Sequence, residues 1–159
     1  MKESLTWTNG AIHDGDTRYL ILRADSLAGL FRRLAPAARA EALQAFAAAV
    51  EEAGGRSAAR YLQDSGDLIA LLQTIETRAA ALGWGRWSFQ REGDDVLELS
   101  VDDSPFASAY GAADAPVCAA ITGMFTALAA LVFGQPARVH ETACVACGAA
   151  RCRFHATPA

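Results

Sequence analysis

The chain has 159 residues, with 14 basic against 18 acidic side chains and a net charge of −4 at pH 7. A chain of this length buries roughly 70% of the surface its unfolded form exposes, so it needs no cross-link to fold. There is no run of Lys or Arg, and Lys2 is the single lysine, which disfavours nucleic acid and anionic membranes as partners. The opening MKESLTWTNGAIHDGD lacks the apolar core of a signal peptide, so a reducing cytoplasm is expected, where permanent disulfides are disfavoured.

In chain order, residues 1–17 read as a polar N-terminal extension, followed by a strand over RYLILRAD at 18–25. Asp25 and Ser26 are placed to start a short helix through Leu30 and Phe31. Pro36 suits a first helical turn, and Leu43, Phe46, Ala47 and Val50 recur at helical spacing until Gly54 and Gly55. A second helical run follows from GGRSAARYL. Asp67 caps a further helix whose stripe of Leu68, Leu71, Leu72, Ile75, Ala79 and Leu82 ends at Gly83. The period then changes. In WGRWSFQREGDDVLELSV, Trp87 and Phe89 alternate with polar neighbours, the chain turns at Gly93 and Asp94, and Leu97, Leu99 and Val101 alternate on the return, which is an antiparallel hairpin. A loop is expected over 102–111, an apolar helix from about Pro116 to Phe133, and two strands around Gly148 between Ala137 and Ala156. Adjacent Asp102 and Asp103 read as solvated loop residues. Helices followed by hairpins with one helix between them argue for an α+β domain with a mainly antiparallel sheet.

Residues 115–134, APVCAAITGMFTALAALVFG, carry no charge and are long enough to cross a bilayer. The segment is rich in Ala, Gly and Thr and lacks flanking aromatic anchors, which favours a buried central helix over a membrane span.

Three of the four cysteines lie in the closing stretch ETACVACGAARCRFH, residues 141–155. Cys144 and Cys147 form a CxxC, which is either a redox pair or half a metal site. A redox pair belongs at a helix N-terminus, whereas this one lies among β-prone residues before Gly148. A tight turn can aim two thiolates at one ion, Cys152 on the return strand can add a third, and Glu141 offers a carboxylate. Two sets of four can be written: Cys118, Cys144, Cys147 and Cys152, or the same with Glu141 in place of Cys147. Spacing alone slightly favours the first, since four thiolates are a common zinc shell and also suit an iron-sulfur cluster. Taken alone, Cys118 is a core-filling thiol, and His13, His140 and His155 are weaker candidates.

These residues resemble the 4-vinyl reductase domain family. The resemblance is dense over 102–155, in Asp103-Ser104-Pro105-Phe106-Ala107, Pro116 and Cys118, Gly123, Glu141-Thr-Ala-Cys144, Gly148 and Cys152-Arg-Phe154. It is looser upstream, and one such domain is expected over 1–159. It implies a fold similar to the small subunits of the TRAPP tethering complex and the nitric-oxide-signalling ligand-binding domains, a homodimer, and a structural Zn2+ held by Cys118, Glu141, Cys144 and Cys152. Cys147 then falls outside the shell, reversing the preference from spacing. The family includes a protein linked to bacteriochlorophyll synthesis, sensor halves of phenol- and toluene-responsive activators, and stand-alone binding proteins. The sensors join this domain to an ATPase and a DNA-binding module, for which 159 residues leave no room.

Four protein ligands leave a metal no position for water, and the sequence contains no dinucleotide fingerprint, nucleophile elbow or paired-histidine helix motif. A non-catalytic domain for a hydrophobic, aromatic or tetrapyrrole-like ligand is therefore expected, lined by Trp84, Trp87, Phe89, Phe106 and Tyr110. The alternatives are an accessory or enzymatic role in vinyl reduction of a chlorophyll precursor, and a dimeric scaffold without a ligand.

Overall fold

The computed structural model describes residues 5–159. The start of the expected N-terminal extension, with Lys2, lies outside the described residues. The rest of that extension is not featureless. Strands β1 (Thr6–Thr8), β2 (Ala11–Asp14) and β3 (Thr17–Tyr19) form an antiparallel three-stranded meander. The strand expected over 18–25 ends at Tyr19. Leu20, Ile21 and Leu22 are exposed rather than paired, and helix α1 (Ala24–Arg32) begins before the expected Asp25-Ser26 cap. Asp25 instead forms an ion pair with Arg23.

Helix α2 (Pro36–Ser65) runs unbroken through Gly54 and Gly55, where the sequence predicts an end. Glycine costs about 1 kcal/mol in a helix interior, and its neighbour explains its use here. Helix α5 (Ala119–Phe133) crosses α2 so closely that a β-carbon at Gly54 would strike Met124 and one at Gly123 would strike the Ala47 carbonyl, while Gly55 faces Ala127. The glycines mark a helix crossing, not a helix end. Helix α3 (Leu68–Ala81) follows as expected, its Ala70 N–H donating to the Asp67 side chain at 3.0 Å.

The second sheet has the order β4-β5-β7-β6, all antiparallel, from β4 (Arg86–Glu92), β5 (Val96–Asp102), β6 (Ala137–Ala143) and β7 (Cys152–Pro158). Period-two alternation decides its faces. Leu97, Leu99 and Val101 lie opposite Ala156, Phe154 and Cys152, and all six are fully buried. The intervening Glu98 and His155 pair at 2.5 Å on the other face, so His155 stands away from the cysteines. The apolar helix α5 covers the inner face, with Phe125 against Phe89 and Phe154 at ring-centroid distances of 6.0 and 6.4 Å. Burying each such Phe or Leu contributes about 2–3 kcal/mol. No helix among the described residues is long and apolar enough to cross a membrane.

Two other boundaries differ from expectation. The stretch expected to be a loop after β5 contains α4 (Pro105–Tyr110), started by Pro105 and by Ser104, whose hydroxyl accepts from the Ala107 N–H. Helix α5 begins at Ala119, so Cys118 is its N-cap instead of a first-turn residue.

The meander is tied to the helices by one buried acid. Asp14 accepts a 2.5 Å hydrogen bond from Tyr61 Oη, and Arg60 and Arg78 approach it at 3.4 Å. Burial, then the bond to Asp14, pushes the Tyr61 phenol up to about 12. Tyr61→Phe is expected to cost about 1 kcal/mol, the usual worth of a lost hydrogen bond. A raised acid pKa stabilises the fold fully below the unfolded value of 10.0, and this contribution is lost as pH rises toward 12. Urea titrations should therefore give a wild-type advantage that is constant at neutral pH and shrinks above pH 10.0; a gap independent of pH there would refute the assignment.

Candidate metal centre and ligand cavities

The last hairpin is built so that its inner-face residues meet the start of α5. Glu141 lies on the inner row of β6, opposite Phe154, just before a bulge that ends the strand. Cys144 follows, then a 3-10 turn at Val145–Cys147, closed by Gly148 at φ 92. This left-handed conformation favours a residue without a β-carbon. Cys152 opens β7 on its buried row. Helix α5 brings Cys118 down onto this row from the opposite side.

The ligating atoms of Cys118, Glu141, Cys144 and Cys152 all lie within 4.8 Å of one another. Cys118 Sγ is 4.0 Å from Cys144 Sγ and 3.6 Å from Cys152 Sγ. Thiolates arranged tetrahedrally at about 2.3 Å from one ion stand about 3.8 Å apart, so these separations suit a shared metal. The surroundings also favour negative sulfur and oxygen. Cys118 N–H donates to Glu141 Oε2 at 3.0 Å, Val145 N–H points at Cys152 Sγ at 3.4 Å, and the Ser104 hydroxyl lies 3.4 Å from Cys118 Sγ.

One atom decides between a metal site and a cluster of neutral thiols. Glu141 Oε1 is buried and has no hydrogen-bond partner. An unpaired buried carboxylate oxygen is costly, and a cation among the three sulfurs would pair it. With no cation counted, burial first and hydrogen bonding with Cys144 next push Glu141 up to about 8. Hydrogen bonds from Cys118, then Cys152, hold Cys144 down as the thiolate. The donor set thus fits a divalent, thiolate-preferring ion and fills four positions, so no reactant could reach the metal. Cys147 is exposed and outside this group. His140 lies opposite His155 in the β6–β7 register, also outside it.

Two cavities lie beyond the cluster. The first, of about 450 Å³, is walled by Phe31, Phe46, Trp84, Phe106, Tyr110 and Val117, with Trp7 and residues 20–22 at its rim. Val117 immediately precedes Cys118, and α4 spans from Ser104 at the cluster to Tyr110 at the cavity, so the two share structural supports. Trp84 and Phe106 meet edge to face at 5.1 Å. The second, of about 360 Å³, lies between α2, α3 and β3 and includes Val50, Ser57, Tyr61, Ile75, Trp87 and Met124. Tyr19, Leu82 and Trp84 border both.

Of the aromatic residues singled out by the sequence, Trp84, Phe106 and Tyr110 line the first cavity, and Trp84 and Trp87 the second. Phe89 lines neither; its ring packs on Phe125. Sequence reasoning missed Phe31, Phe46, Tyr61 and the 20–22 segment. The available signal was the apolar run Leu20-Ile21-Leu22, which reads equally well as a buried strand.

This geometry defines an α+β domain in which an antiparallel sheet packs on helices and a three-cysteine, one-glutamate cluster closes one end. The family model of the vinyl-4-reductase domain matches residues 97–158, so the resemblance to the 4-vinyl reductase domain family holds over the C-terminal sheet and its helix. The fold is similar to that of the phenol-responsive sensory domain of the transcription activator PoxR, solved with phenol, at a TM-score of 0.82 and 24% identity, covering 97% of this chain and 84% of that one. It is also similar to a vinyl-4-reductase family protein from Methanocaldococcus jannaschii, at a TM-score of 0.53 and 12% identity over 86% of this chain and 90% of that one. A trafficking protein particle complex subunit 3 from Naegleria fowleri, covalently bound to palmitic acid, gives 0.58 and 12% over 84% and 93%. No curated protein matches the chain by sequence.

Proposed function

We propose that residues 1–159 form a single non-catalytic domain that binds a hydrophobic aromatic molecule in the first cavity, beside Trp84, Phe106 and Tyr110. A structural Zn2+ on Cys118, Glu141, Cys144 and Cys152 holds the cavity wall in place. The observation that carries this reading is the apolar cavity itself, backed by a donor cluster with no open position for chemistry. Its PoxR-like fold, solved with phenol in that protein, supports the same reading. The volume of about 450 Å³ lies toward the lower end of the range for small-molecule sites, which favours a one- or two-ring arene over a whole tetrapyrrole. Nothing in the cavity lining offers a hydride carrier, so a role in vinyl reduction would be accessory.

The exposed strip of Trp7, Leu20, Ile21 and Leu22, 55–84% accessible, supports assembly as a homodimer, and a cytoplasmic location fits the thiol-rich site. The test is a melting and tryptophan-fluorescence screen of the metal-loaded protein against phenols, fatty acids and porphyrins. Phenols or larger arenes should raise the melting temperature and perturb Trp84 emission, and Phe106→Ala should weaken the response about tenfold, as expected for losing one aromatic wall. No response across the panel would reject the reading.

A further inference from the structure

The second cavity differs from the first in chemistry. Its inner wall is apolar, formed by Val50, Ile75, Trp87 and Met124, but Thr17, Arg18, Ser57, Tyr61 and Arg78 gather along one side. No Asp or Glu is among its described lining residues. The nearest carboxylate, Asp14, is 3% exposed and bound by Tyr61, Arg60 and Arg78, so its charge is already answered behind the wall. Arg18 stands exposed at the mouth on β3, opposite His13, and takes part in no ion pair among the described residues. The Thr17 and Ser57 hydroxyls likewise make no hydrogen bond among them. An apolar slot with a cation and free hydroxyls at its rim and no lining carboxylate is complementary to one ligand class.

The geometry points to a second binding site in this cavity for a hydrophobic carboxylate, an arene on a short chain ending in an acid. The ring enters between Val50, Ile75, Trp87 and Met124, and the carboxylate stays at the rim, where Arg18 donates to it and Thr17 and Ser57 complete its hydrogen bonds. Arg78, its guanidinium 5.4 Å from the Tyr61 ring centre, adds positive potential from the side. Charge-assisted bonds of this type discriminate an acid from its neutral isostere, and a preformed apolar slot holds the ring in either case. This inference rests on the reading of the chain as a small-molecule-binding domain, but it concerns a different cavity and a different ligand class.

Calorimetric titration of the metal-loaded full chain with 4-phenylbutyrate and 4-phenylbutanamide tests it. The acid should bind about tenfold more tightly than the amide at low salt, the usual scale for one charge-assisted contact at a partly open site. Arg18→Gln should erase that preference and leave amide binding unchanged. Ala53→Phe, placed on the exposed side of the cavity, should block both ligands and leave phenol binding in the first cavity intact. Equal binding of acid and amide, or an equal loss of both in Arg18→Gln, would overturn the carboxylate site and leave the phenol-binding reading standing. Silence toward phenols as well as both phenylbutyl ligands would overturn the two together.

Discussion

Cys118→Ser releases the bound metal and lowers the melting temperature by about 10 °C, whereas Cys147→Ser leaves both unchanged. The first effect follows from what the substitution strands. Cys118 is fully buried and contacts both Cys144 and Cys152, and its backbone N–H holds Glu141. Without its sulfur the site loses a quarter of its donors, and a weakly held metal leaves Glu141 Oε1 buried and unpaired. Removing the partner of a buried charge costs about 3–5 kcal/mol, and in a domain of this size each kcal/mol moves the melting temperature by about 2–4 °C. The chain retains its core, so a lower melting temperature is expected rather than the complete unfolding seen when metal is removed from a small zinc-folded peptide. Cys147 is exposed on the 3-10 turn, with its sulfur outside the donor group, so its hydroxyl replacement changes nothing the metal feels. Metal content by inductively coupled plasma mass spectrometry, with melting curves before and after chelation, reads both variants. Metal loss in Cys147→Ser with retention in Cys118→Ser would restore the all-cysteine arrangement.

Gly123→Ala is the second large effect, and its sign is diagnostic. On helix propensity alone the change should stabilise α5 by about 1 kcal/mol. The structure predicts the reverse, because the added methyl would collide with the Ala47 carbonyl, a backbone atom that cannot rotate aside. Helices α2 and α5 must separate, and overpacking of this kind costs about 1–3 kcal/mol. The separation would also disturb Met124, which lines the second cavity. A urea titration showing net loss supports the close crossing; net gain would mean the helices pack less tightly than described.

The closing hairpin was legible in the sequence because its information is local. Alternation in β5 and β7 fixes which side chains face inward, and that alone places Cys152 on the core face. Asp67 and Gly83 bracket α3 by capping chemistry that a few residues carry. Gly54 and Gly55 mislead for the opposite reason: glycine both ends helices and permits close crossings, and only the partner helix distinguishes these uses. The short α4 escapes detection because six residues carry too little periodicity to be recognised, although Ser104-Pro105 is a helix-start pair. The apolar run at 20–22 reads as a buried strand, since nothing in its own sequence says that it would stand exposed beside a cavity.

The donor types were likewise present in the sequence, but their selection was not. Spacing could not choose between Cys147 and Glu141, because in a turn both lie within a few residues of Cys144; the family resemblance pointed to Glu141. The sequence by itself determined the α+β alternation, the hairpin faces and the supply of metal-binding atoms, all of which follow from periods of two and 3.6 residues and from residue chemistry. The tertiary structure alone decided which thiol turns outward, that Glu141 is buried with an orphaned oxygen, and that residues far apart in the chain enclose two cavities of different polarity. Those outcomes depend on how α5 docks against the sheet and α2, an arrangement set by many weak contacts between distant segments and encoded in no single stretch.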